Sequence, residues 1–227
     1  MKPKLLILHG AMQSSVPFEN LKNSLSNSFE IYCPDLPSHG FSYDEIKPFD
    51  IKSLADFTEN YIEKNGLENC FVFGYSMGGF IALYLQYQKP VFTKILTLAT
   101  KFDWDENIAQ KEANMFNAEK IKLKIPAFAS YLSSLHKDWE VLTNYTKEMM
   151  IDLGKNQYFK TMDLGAISGV KRITLGDKDT MVSLEETIET YRNLNDSSLH
   201  IFPNTPHPFE KVNLEMISQE FKDFFLS

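Results

Sequence analysis

The chain has 227 residues, 43% of them hydrophobic, enough to bury one sizeable core. A formal charge of −7 and the lack of any long run of lysine and arginine argue against a nucleic-acid partner. No window approaches the apolar length of a membrane span, and Cys33 and Cys70 fall on separate expected strands, as buried thiols of a cytoplasmic protein would.

The apolar run Leu5-Leu6-Ile7-Leu8 is too short for an export signal and meets His9 and Gly10, so Lys4 to His9 reads as a buried strand. Val16 to Phe29 carries Phe18, Leu21, Leu25 and Phe29 at helical spacing, and Glu30 to Cys33 is a strand closed by Pro34. Asp35 to Ser42 is rich in turn formers. Asp50 to Asn65 places Ile51, Leu54, Ala55, Phe57, Tyr61 and Ile62 on one face of a helix that Gly66 stops. Cys70 to Phe73 reads as a strand, Phe80 to Tyr87 as the helix after it, and Lys94 to Ala99 as another strand. This alternation predicts an α/β fold, a mostly parallel sheet with helices on both faces.

The alternation breaks over residues 103–165, where the expected elements are helical. Pro126 suits a first turn, and Leu132, Leu135, Trp139, Leu142, Tyr145, Met149 and Leu153 recur in steps of three and four as one continuous apolar stripe. The division expected is a core of residues 1–102 and 166–227 with an inserted helical lid at 103–165. Strands over Val170 to Leu175 and Ser198 to Phe202, with helices over Leu184 to Leu194 and Leu214 to Leu226, complete the chain.

Between the strand at Cys70 and its helix stands Gly74-Tyr75-Ser76-Met77-Gly78. Glycines two before and two after a serine are what a sharp strand-to-helix turn requires, because a side chain at either place would meet the neighbouring element. The turn lifts the Ser76 hydroxyl clear of the sheet, beside the first amides of the new helix. A serine hydroxyl needs a base, and the base needs a group that fixes its tautomer.

With His9-Gly10 after the first strand, Asp179 late in the chain and His207 near its end, this motif resembles the α/β-hydrolase family over essentially the whole chain. The resemblance implies a serine esterase with Ser76 as nucleophile, His207 as base and Asp179 as the orienting acid. It further implies an oxyanion hole made by the backbone N–H groups of Met77 and Ala11. The family's acid loop is matched by Gly176-Asp177-Lys178-Asp179-Thr180-Met181-Val182; Asp177 and Asp103 are the rivals for the acid. Ser38 stands where the family's turn loop commonly has glycine. His9 would be structural, His39 a backbone partner, His200 a strand residue and His136 a solvent-facing residue of the lid. Phe102, Phe116, Phe128, Tyr131 and Trp139 are the candidates for an apolar substrate pocket.

No metal-ligand spacing and no phosphate or dinucleotide cradle is present, so no metal and no cofactor is expected. The expected partner is a small-molecule acyl ester or thioester. The same residues would serve carbon–carbon cleavage or elimination of a carboxylate-bearing substrate, and Lys101, Lys111 and Lys137 are the basic residues that could recognise one. A slow-turnover ligand receptor is the remaining alternative.

Overall fold

The computed structural model describes residues 2–41 and 47–227; Ser42, the end of the expected turn loop, lies outside them. The strands are β1 (Lys4–Leu8), β2 (Glu30–Tyr32), β3 (Cys70–Tyr75), β4 (Phe92–Leu98), β5 (Val170–Gly176) and β6 (Ser197–Phe202). They form one sheet in the order β2-β1-β3-β4-β5-β6, with every pairing parallel. The order reverses beside β1, so the loops after β1 and β3 open at the same place on the carboxyl edge, where open α/β sheets bind ligands.

Successive residues of β1, β3 and the second half of β4 enter different cores, as a pleated sheet covered on both faces demands. Leu6, Leu8, Val72 and Ile95 pack into one hydrophobic cluster, and Leu5, Ile7, Phe73, Tyr75 and Leu96 into the other. The second cluster is closed by α1 (Glu19–Leu25) and α10 (Leu214–Phe225), through Leu21, Leu25, Phe221 and Phe225. The first is covered by α2 (Ile51–Asn65) and α3 (Met77–Gln88). Helix α3 is buried at every position from Met77 to Gln86, which makes it a core helix with no polar face.

Two expected elements differ most from their observed form. Helix α1 ends at Leu25, and the turn before it, Val16–Phe18, is a 3-10 turn in which Pro17 takes an early position. The apolar stripe from Leu132 to Leu153 is divided between α6 (Pro126–Leu135) and α7 (Trp139–Asn156). Asp138 makes the break, because its carboxylate caps the new helix by accepting the Val141 N–H at 3.0 Å.

With α4 (Glu106–Ala113), α5 (Ala118–Lys124) and α8 (Tyr158–Thr161), these helices fill the segment between β4 and β5. Their residues Leu132, Trp139, Leu142, Met149 and Leu153 join the same cluster as Leu6 and Val72. Helix α9 (Leu184–Asn193) follows β5. Among the described residues, no helix is long and apolar enough to cross a membrane.

Candidate active site

Strand β3 and helix α3 meet at Ser76, whose backbone takes φ 51° and ψ −116°. A non-glycine residue in such a conformation costs on the order of 1–3 kcal/mol and persists only where its surroundings over-determine it. Here they do. The Ser76 N–H donates to Leu98 O at 2.8 Å, and its carbonyl accepts from the Thr100 hydroxyl at 3.0 Å. A Cβ on Gly74 would lie 2.3 Å from the Gly79 Cα, and one on Gly78 would lie 2.1 Å from the Leu8 carbonyl oxygen. Both glycines of the motif are therefore required by backbone, which cannot yield as a side chain can.

Met77 is the first residue of α3, and the opening amides of a helix have no acceptor within it. Ser76, Met77 and Ala11 line one cavity of about 50 Å³, so the expected nucleophile and both expected oxyanion residues face the same space. Its remaining wall is Ile51, Phe80, Lys101, Trp104, Met149, Met150 and Leu153.

On the neighbouring loops, His207 Nδ1 lies 2.7 Å from Asp179 Oδ2, with the Asp179 side chain 1% and the His207 side chain 12% exposed. The other oxygen, Asp179 Oδ1, accepts from the Met181 and Val182 N–H groups at 2.8 and 2.9 Å. These two bonds aim the carboxylate at the imidazole, and the carboxylate holds the proton on Nδ1, leaving Nε2 as the basic nitrogen. Asp177 instead accepts the Thr205 N–H, and Asp103 is paired with Lys160 at 2.8 Å. The His207 Nδ1 hydrogen bond is made to Asp179 and to neither rival.

Three buried histidines hold the loops after β1 and β2. His9 accepts the Leu36 N–H at 2.9 Å through Nε2, so its Nδ1–H donates to Gly10 O. Burial lowers its pKa to about 4. His39 donates to Pro37 O and is pushed well down, again by burial. His136 is not solvent-facing as expected. It is 2% exposed, accepts the Gly40 N–H at 2.9 Å and donates to Met12 O at 3.0 Å, which fastens the end of α6 to two loops of the sheet edge.

The five aromatic residues expected to bind substrate do not line the Ser76 cavity. Phe102 packs on Phe159 in the wall of a separate cavity of about 600 Å³, and Trp139 is buried at the start of α7. Phe116 is half-buried against the core, Phe128 is exposed, and the Tyr131 hydroxyl donates to Glu210. The segment's contribution to the cavity is instead Met149, Met150 and Leu153 together with one aromatic residue, Trp104. Their helical spacing was the available signal, and it reads equally as ordinary core.

A family model described as the alpha/beta hydrolase fold matches residues 3–172. The chain belongs to the α/β-hydrolase fold family. Among curated relatives, it is 31% identical over 119 residues to a pimeloyl-[acyl-carrier protein] methyl ester esterase of Pseudoalteromonas atlantica, covering 48% of this chain and 45% of that protein. It is 32% identical over 108 residues to the magnesium-chelatase 30 kDa subunit of Rhodobacter capsulatus, covering 47% of this chain and 38% of that one. These matches span less than half of the relatives' own length. Solved structures share the α/β-hydrolase fold at lower identity. A thermophilic esterase from Thermogutta terrifontis superposes with a TM-score of 0.71 at 19% identity, covering 100% of this chain and 90% of that one. The enol-lactonase from Burkholderia xenovorans superposes with a TM-score of 0.78 at 13% identity, over 100% and 92%.

Proposed function

We propose that this α/β-hydrolase is a serine hydrolase that cleaves an ester or thioester of a short, apolar acyl group through an acyl-enzyme. The observation that carries the reading is the 2.7 Å bond between the buried Asp179 carboxylate and His207 Nδ1, made on the sheet edge where Ser76 stands at its strained turn. The esterase names of the pimeloyl relatives support the ester as substrate class.

In the proposed reaction, Ser76 Oγ attacks the acyl carbonyl as His207 Nε2 takes its proton, and Asp179 stabilises the imidazolium. The Ala11 and Met77 N–H groups receive the charge that develops on the carbonyl oxygen. His207 returns the proton to the departing alcohol or thiol, then activates the water that releases the acid and regenerates Ser76. Helices α4 to α8 act as the lid, with Met149, Met150 and Leu153 roofing the acyl group.

Carbon–carbon cleavage of a carboxylate-bearing substrate is the second reading, and the presence of Lys101 in the cavity wall favours it. The Lys101 ammonium, however, is already engaged by Met181 O at 3.3 Å and Glu186 at 3.5 Å, which leaves the ester reading the stronger.

Labelling with a fluorophosphonate probe, followed by p-nitrophenyl esters of increasing acyl length, tests the proposal. Labelling and turnover are expected in the wild type and lost in Ser76→Ala and His207→Ala. Turnover persisting in Ser76→Ala above a small residual would refute the mechanism.

A further inference from the structure

Lys101 and Glu186 form an ion pair with 19% and 8% of their side chains exposed, separated by 3.5 Å. A pair so sheltered is weak support for stability, because the desolvation of two charges offsets most of their attraction. Its position suggests what else it does. Lys101 follows Thr100, whose hydroxyl holds the Ser76 carbonyl, and the Lys101 ammonium donates to the carbonyl of Met181 at 3.3 Å. Met181 is the residue whose N–H holds Asp179 Oδ1. The Val182 N–H, in the same peptide unit as the Met181 carbonyl, donates to Asp179 Oδ1 as well, so that one peptide is gripped by the lysine at its carbonyl and by the carboxylate at its amide.

Glu186 is the third residue of α9, and Ser183 caps that helix by accepting the Glu186 N–H at 3.1 Å. Serine followed three residues later by glutamate is a capping box, in which the glutamate ordinarily reaches back to the N–H of the cap residue. Here its carboxylate accepts from the Ser183 hydroxyl and from the Phe102 N–H, both at 3.3 Å, and faces Lys101. Burial raises its pKa, with Lys101 opposing. The carboxylate therefore joins the start of α9 to the segment after β4.

We propose that Lys101 and Glu186 are positioning residues that lock the turn carrying Asp179 to the segment bonded to Ser76, and so keep Asp179 against His207. The proposal rests on the serine mechanism above. The pair acts through the Met181–Val182 peptide.

The test uses Lys101→Met, which keeps an unbranched stem in the cavity wall, Glu186→Gln, and the double variant. Each single change leaves a buried charge unpaired and lowers the melting temperature; the double change removes both charges and restores much of it. If the pair positions Asp179, kcat for a short p-nitrophenyl ester falls about tenfold in Lys101→Met and in the double variant, as a displaced reacting geometry requires, with KM within about twofold. Lys101→Arg, which keeps a cationic donor, recovers part of the loss.

The far-downfield proton resonance of the His207 Nδ1–H bonded to Asp179 is read in the same proteins and again on a Ser76→Ala background. It is expected to broaden or shift upfield with Lys101→Met in both. A double variant with wild-type kcat and an unaltered resonance overturns the proposal and makes the pair a folding element. Because the resonance needs no turnover, loss of the ester reading alone would leave this measurement standing.

Discussion

The Tyr75 hydroxyl donates to the backbone carbonyl of His207 at 2.6 Å, tying the residue before the proposed nucleophile to the loop that carries the proposed base. The Tyr75 ring lies 5.6 Å from the His207 ring and 5.4 Å from Phe209, and a Cβ on Gly10 would meet it at 2.9 Å. Three of the four segments that must cooperate in the proposed reaction therefore meet at one side chain. Tyr75→Phe removes only the hydroxyl and leaves the His207 carbonyl without this donor. The expected cost is about 1–2 kcal/mol of stability. Because the imidazole loosens on its loop, kcat should fall about three- to tenfold with little change in KM. Steady-state kinetics beside a thermal melt would check this, and an unchanged kcat would mean that Pro206 and Pro208 hold the loop alone.

The identity of the acid can be tested by a pair of isosteric substitutions. Asp179→Asn keeps the shape but loses the charge that stabilises the imidazolium and the preference for a proton on Nδ1. Turnover should fall by about a thousandfold or more, by the logic of the Ser-His-Asp arrangement. Asp103 is 43% exposed and pairs with Lys160, so Asp103→Asn should stay within about twofold of wild type, as loss of a surface ion pair does. The opposite ranking in kcat would transfer the acid role to the segment after β4.

The buried histidines set a lower pH limit on stability. His9 has a folded pKa of about 4 against 6.5 for an unperturbed imidazole, because burial penalises its charged form. Below 6.5 the unfolded chain takes up a proton that the folded one refuses, so the contribution is full above that pH and is lost as pH falls toward 4. For His9 alone the loss amounts to about 2 kcal/mol by pH 5 and about 3 kcal/mol below pH 4. His39 and His136 are lowered by burial as well and act in the same direction, while Glu186, raised by burial, acts against them. Urea unfolding at pH 7.5 and at pH 5 should show the midpoint falling clearly, and equal midpoints would contradict the neutral, buried state of the three rings.

The elements legible in the sequence are those whose signal is local. The strand and helix around Ser76 and the stop at Gly66 follow from neighbours within a few residues, whereas Asp179 and His207 are singled out through the family resemblance and the order of the three residues along the chain. Tyr75, Lys101, Glu186 and His136 escape such a reading because their partners are 132, 80, 84 and 96 residues away in the hydrogen bonds that define them. His136 is flanked by Ser133, Ser134 and Lys137, which suggests a wet face; only the packing of α6 against the Asp35–Gly40 loop buries it. The pocket misleads for a different reason. Aromatic residues suggest a substrate site by type, yet the space beside Ser76 is closed by Met149, Met150 and Leu153, whose periodicity is that of any buried helix face.

In the proposed reaction that wall would set the acyl length. A cavity of about 50 Å³ holds an acyl group of only a few carbons, since one water already needs on the order of 10–15 Å³ by the same measure. p-Nitrophenyl acetate to butyrate should therefore be preferred over hexanoate and longer esters. Met149 is 2% exposed and lines this cavity, so Met149→Ala enlarges the pocket and should move the optimum toward longer chains while kcat for acetate changes little. Truncating so buried a side chain costs about 2–5 kcal/mol, so Met150→Ala, on the same wall and 7% exposed, provides a second variant should the first be too unstable to assay. An optimum at long chains in the wild type, or one that neither substitution moves, would place the acyl group outside this cavity and return the larger, acid-rimmed cavity beside Phe102 and Phe159 to consideration.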